Sequence, residues 1–99
     1  MRRFRNTGRQ DAALGPICKT LDKMPGVAYQ RVGHIVDEYD LVVSVPGHND
    51  LWEVKTGNAK LKDSQVRFQS RWLGPYIIIR STAEAIDRIT ELQEKRYAG

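Results

Sequence analysis

The chain has 99 residues, enough for one domain with a thin core and room for one site on one sheet. Its formal net charge of +4 and pI of about 9.5 favour a polyanionic partner. The lone cysteine, Cys18, excludes an intramolecular disulfide, and one Cys with two His gives no zinc spacing. No apolar run nears the ~18–20 residues of a membrane span or forms a signal-peptide core, so a soluble, cytoplasmic protein with no membrane partner is expected.

Residues 1–6 (MRRFRN) read as a basic arm; with Arg9 they place four arginines ahead of the first acid, Asp11. From Thr7 to about Lys23, Leu14, Ile17, Cys18, Leu21 and Met24 recur at helical spacing, and Thr7 with Gln10 fits a capping box. Pro16 either delays the start of this helix to Gly15-Pro16 or kinks it. Pro25-Gly26 marks a turn, Val27–Val32 a strand, and residues 33–39 a connection of open form. Leu41–Val45 is a strand by β-branched content, Pro46–Asn49 a turn, Leu51–Lys55 a further strand and Thr56–Ala59 a loop. A helix is predicted from Asp63 or Ser64 to Leu73, with Phe68 and Trp72 in its core face and Gly74-Pro75 stopping it. Tyr76–Arg80 reads as a buried strand, and Ser81 with Glu84 opens a last helix whose stripe is Ala85, Ile86, Ile89 and Leu92. The order α-β-β-β-α-β-α predicts a single α/β domain around a mixed sheet.

One strand pair carries chemistry. Side chains alternate along a strand, so Glu53 and Lys55 share a face with Leu51 while Trp52 and Val54 take the other. With a four-residue Pro46–Asn49 loop, Asp40 falls opposite Lys55 and diagonal to Glu53, all three on one face. A slip of one residue would move Asp40 to the other face. Two carboxylates so placed can converge on a hard cation such as Mg²⁺ or Mn²⁺, which lowers the pKa of a coordinated water and stabilises charge on a phosphoryl group. A lysine beside them orients or deprotonates that water or offsets developing charge. The plain alternative is a solvated cross-strand ion pair, contributing about 0–1 kcal/mol. Asp37 and Glu38 are alternative acids, His34 an alternative base, and His48 lies at the wrong end of the hairpin. A second basic group, Lys60, Lys62, Arg67 and Arg71, follows the strand; it is either a solvated face or a phosphate-binding surface.

The stretch D-L-V-V-S-V-P-G-H-N-D-L-W-E-V-K (40–55), followed by Gln65, Trp72 and an apolar strand, resembles the PD-(D/E)XK nuclease superfamily. Within it, the chain is similar to the small stand-alone VRR-NUC domains of phage genomes. The resemblance covers about residues 7–91. It departs at Tyr39, where the family has the proline of P-D, and at Pro16 in the first helix.

The resemblance implies a restriction-endonuclease-like core with a mixed four-stranded sheet flanked by helices. It implies Asp40 and Glu53 as metal ligands, the Val54 carbonyl as a further ligand and Lys55 acting on the nucleophilic water. Gln65 would help position Lys55 or the water, and Asp11 is either an additional metal ligand or a capping or surface aspartate. The implied activity is hydrolysis of DNA to a 5′-phosphate and a 3′-hydroxyl, with Arg9, Lys60, Lys62, Arg67 and Arg71 on the backbone. Relatives of this size include homodimeric enzymes that cut branched DNA such as four-way junctions. A non-catalytic DNA-binding module with a nuclease-like fold is the alternative from another class, and a structural protein with a salt-bridged sheet face is a third.

Overall fold

Three helices and four strands follow one another as α1 (Thr7–Asp22), β1 (Ala28–Arg31), β2 (Leu41–Val45), β3 (His48–Val54), α2 (Asp63–Arg71), β4 (Tyr76–Ile79) and α3 (Thr82–Ala98). The computed structural model describes the backbone of residues 7–98 and the side chains of residues 12–95. The predicted basic arm (1–6), the Thr7–Gln10 capping box and the side chains of Arg9 and Asp11 lie outside the described residues. The sheet order is β1-β2-β3-β4, with β1, β2 and β3 antiparallel in turn and β4 parallel to β3. This is the predicted element order around a four-stranded mixed sheet. The parallel β3–β4 pair requires a crossover, and α2 supplies it.

The core lies on one face of the sheet. Leu14, Ile17, Cys18 and Leu21 of α1 and Ala85, Ile89 and Leu92 of α3 close over Leu41, Val43, Val45, Trp52, Val54 and Ile79. Cys18 is buried there, and desolvation raises its thiol pKa. The predicted fourth member of the α3 stripe, Ile86, is instead 40% exposed, outside the arc that meets the sheet. Helix α1 passes through Pro16 rather than starting at it. A buried stripe extending to both sides of the proline outweighs the lost hydrogen bond, and Gly15 has no Cβ to meet the pyrrolidine ring.

The β2–β3 turn departs from expectation. It is two residues, Pro46-Gly47, and His48 and Asn49 belong to β3. Pro46 fixes a negative φ at the first corner and Gly47 takes φ +81° at the second, the pattern of a type II turn. The register is therefore Leu41↔Trp52 through Val45↔His48. It differs from the expected register by two residues, an even number, so every side chain keeps its predicted face.

The other elements differ at their margins. β1 is shorter than Val27–Val32. α2 ends at Arg71 rather than Leu73, with Trp72 as its C-cap. β4 is not fully buried: Tyr76, Ile77 and Ile78 are half-covered because the strand is an edge of the sheet. At the start of α3, Ser81 Oγ accepts from the Glu84 N–H at 3.1 Å, and Glu84 reaches past Ser81 to accept from the Arg80 N–H at 2.7 Å. Among the described residues no helix is long and apolar enough to cross a membrane.

Candidate active site

The sheet face opposite the core is covered in part by α2, and the predicted triad lies beneath it. β2 starts at Leu41, opposite Trp52, and just before it the Asp40 N–H donates to the Trp52 carbonyl at 2.9 Å. Asp40 thus lies against the Trp52–Val54 backbone rather than opposite Lys55 as expected, and Lys55 follows Glu53 two residues on along the same face. The shift follows from the shorter turn. All three are buried, Asp40 to 8%, Glu53 to 1% and Lys55 to 5% exposure, which removes them from the class of solvated cross-strand pairs.

The hydrogen bonds are unevenly shared. Asp40 Oδ2 accepts from the Val54 backbone N–H at 2.8 Å. Glu53 Oε2 accepts from Gln65 Nε2 at 2.9 Å and lies 3.4 Å from Lys55 Nζ. Glu53 Oε1 is buried and meets no donor. The two carboxyls are within reach of sharing a proton. Burial, then the Asp40 charge, push the Glu53 pKa up to about 8 against the opposing pull of Lys55. Burial also raises Asp40, although the Val54 N–H holds it back.

Gln65 lies beside the acids, where its amide is bonded to Glu53. Its Nε2 also donates to the Asp37 carbonyl at 3.2 Å, and its Oε1 accepts from the Lys62 N–H at the start of α2. One buried amide therefore joins the acid, the segment before β2 and the helix N-terminus. It grips Glu53 itself rather than Lys55. Asp37 stays at the surface, where its carboxylate meets Ser64 Oγ at 3.4 Å and Lys62 Nζ at 3.6 Å. Glu38 lends its backbone carbonyl to the Tyr76 hydroxyl at 2.6 Å. Neither side chain replaces Asp40. His34 is exposed in the 33–39 connection.

Three contributors had no clear signal in the sequence. A Cβ on Gly33 would stand 3.0 Å from Asp40 Oδ1, so the chain passes the carboxylate where only glycine fits without displacement. Burial, and then the nearby charges of Glu53 and Asp40, raise the pKa of Tyr76. Arg80 Nη1 donates at 2.8 Å to both the Gly57 and Ala59 carbonyls, pinning the loop that leads to Lys60 and Lys62. Of the predicted phosphate-binding residues, Lys60, Lys62, Arg67 and Arg71 are all exposed. The expected core residue Trp72 is 42% exposed, because α2 ends before it.

The far side of β3 carries a second acid. Asp50 is fully buried, and Arg88 grips it through Nε at 2.8 Å and Nη2 at 2.9 Å. Trp52 Nε1 donates at 2.8 Å, and His48 Nε2 is 2.7 Å away. Burial alone would raise this acid, but Arg88, Trp52 and His48 together lower it. His48 thus belongs to this cluster and not to the Asp40–Glu53 face.

The donor set on the α2 face suits a hard divalent cation. It offers two buried carboxylates, one of them with an oxygen that meets no donor. Among the described residues no cluster of three or more His, Cys, Asp or Glu could hold a metal ion, so water or phosphate oxygens would complete such a shell. Comparison with family models, with curated proteins and with solved structures finds no match to this chain.

Proposed function

We propose that the chain is a Mg²⁺- or Mn²⁺-dependent DNA endonuclease of the PD-(D/E)XK type, with a restriction-endonuclease-like core. The observation that carries this reading is Glu53 Oε1, a buried carboxylate oxygen with no donor, facing a second buried acid with a lysine at 3.4 Å from its other oxygen. A structural ion pair would have its lone pairs satisfied; a cation site is short of donors by design of its chemistry. Asp40, Glu53 and the Val54 carbonyl would hold the cation, which when bound supplies Lewis acidity toward the phosphoryl group and acidifies a coordinated water.

The chain's own residues do the rest. Gln65 fixes Oε2 of Glu53 and so the rotamer of the ligand. Lys55, held in a buried position, sets positive charge against charge developing on the phosphoryl oxygens. Water oxygen adds to phosphorus as the P–O3′ bond breaks, leaving a 5′-phosphate, and the departing 3′-oxygen takes up a proton as the hydroxyl. Lys60, Lys62, Arg67 and Arg71 hold the backbone without reading bases, so binding should be salt-dependent and weakly sequence-specific. Action on branched DNA as a homodimer belongs to the same proposal, since two-fold symmetry sets two sites on two strands of a junction. So does a cytoplasmic setting in a bacterial or phage-infected cell.

The test is cleavage of a labelled four-way junction and a matched linear duplex with Mg²⁺, Mn²⁺ or chelator. Metal-dependent cutting is expected from the wild type and a loss of at least a hundredfold from Lys55→Ala. Preference for the junction would assign the branched substrate. Binding without cutting under either metal would replace this reading with that of a non-catalytic DNA-binding module.

A further inference from the structure

The nuclease reading leaves unused an aromatic cluster beside the acids. Tyr76, opposite Leu51 on the sheet face that carries Glu53, has its ring centroid 5.6 Å from that of Phe68, and Phe68 stacks on Trp72 at 5.2 Å with an interplanar angle of 22°. The cluster therefore runs outward from the acid pair to Trp72. Phe68 is buried at 8% exposure and Trp72 is 42% exposed, so the pair is anchored at one end and open at the other. The Gly74 backbone passes close to the indole, since a Cβ there would stand 3.0 Å from Trp72 Nε1. The indole is thus held against one ring and one stretch of backbone, with much of its surface in solvent.

The charge at the open end of this shelf is positive. The Arg71 guanidinium carbon lies 4.9 Å from the Phe68 centroid. Between residues 60 and 72 four cations, Lys60, Lys62, Arg67 and Arg71, stand against the single acid Asp63. An exposed, immobilised aromatic surface within a cationic strip matches what an unpaired nucleotide presents: a flat π-face joined to phosphate. A paired base inside a duplex has both faces covered by its neighbours and cannot use such a surface.

We propose that Trp72, fixed on Phe68, is a stacking shelf for an unpaired base, so that the DNA taken by this site is single-stranded or locally opened where it leaves the acids. The inference rests on the nuclease reading and names its substrate class. Arg71 holds the phosphate next to the stacked base. Because every base has a π-face, the shelf discriminates strandedness and not sequence.

Binding measured in chelator separates this proposal from the hydrolytic one. Tryptophan fluorescence is titrated with an oligothymidylate strand and with a blunt duplex of equal length. Trp52 is fully buried and gives a constant background, so quenching reports Trp72. The strand should quench strongly and the duplex weakly. Read for wild type and variants alike by anisotropy of a dye-labelled strand or duplex, since the variants lack the reporting indole, Trp72→Ala should weaken strand binding roughly tenfold and leave duplex binding within about twofold, whereas Trp72→Phe should restore most of the strand affinity. Unchanged melting of both variants would show that the fold is intact. Equal affinity of Trp72→Ala and wild type for the strand overturns the shelf. So does an equal loss on strand and duplex, or a Trp72 signal that follows protein concentration without DNA, as burial against a second copy would produce. Quenching that survives when no metal supports cutting would sink hydrolysis and leave the shelf standing.

Discussion

Strand β3 carries two buried carboxylates three residues apart, and they are treated in opposite ways. Asp50, on the core face, has both oxygens taken by a bidentate arginine, an indole N–H and an imidazole, and its pKa falls. Glu53, on the α2 face, has one oxygen held by Gln65 and the other left without a donor beside a second acid, and its pKa rises to about 8. Burial is nearly complete for both, so desolvation does not distinguish them. What differs is the supply of donors. The protein satisfies the acid that ties α3 to the sheet and leaves unsatisfied the acid that would meet a cation. Buried polar atoms are ordinarily paired, and an exception next to a like charge is a liability unless something positive binds there.

The largest expected effect comes from breaking the satisfied member. Arg88→Ala would leave Asp50 charged and fully buried with only neutral or partly exposed partners. It should lower unfolding free energy by roughly 3–5 kcal/mol in urea titration. Metal-dependent cleavage by the molecules that remain folded should be preserved. A loss under about 1 kcal/mol would mean that Asp50 does not need its arginine, and the contrast would fail from that side.

Next is the pH dependence of the metal-free protein, where the two acids have opposite signs. Glu53 is ordinarily near 4.5 and lies near 8 when folded, so between those values the folded state holds more protons than the unfolded one. Stability should therefore fall as pH rises from about 4.5 to about 8, with Asp40 contributing in the same direction. Asp50, lowered from 3.8, contributes stability that is present above that value and lost as pH falls through its folded pKa. Urea unfolding in chelator at pH 5, 6.5 and 8 should show a decline that saturating Mg²⁺ removes and that Glu53→Gln flattens. Rising stability over that range would show that the acid pair is already compensated, and would count against a cation site.

A smaller effect sharpens the geometry. Gly33→Ala sets a Cβ 3.0 Å from the original position of Asp40 Oδ1, so either the carboxylate or the chain must shift. About a tenfold loss of Mg²⁺ affinity is expected by calorimetry, the size typical of disturbing a ligand's surroundings. The same substitution should leave the Asp50 cluster and the urea midpoint in chelator almost unchanged. Equal affinity for Mg²⁺ would mean that Asp40 is not a ligand.

The site was more legible in the sequence than its surroundings. Glu53 and Lys55 share a face because of spacing alone, and a turn two residues shorter than expected, an even shift, kept β2 in phase with them. Gln65 was legible through the resemblance, but its partner was not. Whether its amide would meet Lys55, water or Glu53 depends on where α2 crosses the sheet. Trp72 was expected in the core because helical periodicity was carried past Arg71, where the helix stops and the backbone turns extended at φ −78°, ψ 130°. The Asp50–Arg88 pair spans 38 residues of chain and joins two unremarkable positions, so no local pattern announces it.

The sequence by itself determined the order of elements, the face that each strand residue occupies, and the two acids and one lysine brought to a common surface. These follow from periods of two and 3.6 residues, which are local and survive an even shift in register. Only the tertiary structure decided how many donors reach each buried oxygen, which strand is an edge, and which aromatic remains open to solvent. Those are counts of neighbours from distant parts of the chain, and they separate an acid whose oxygens are all held from one with an oxygen that meets no donor.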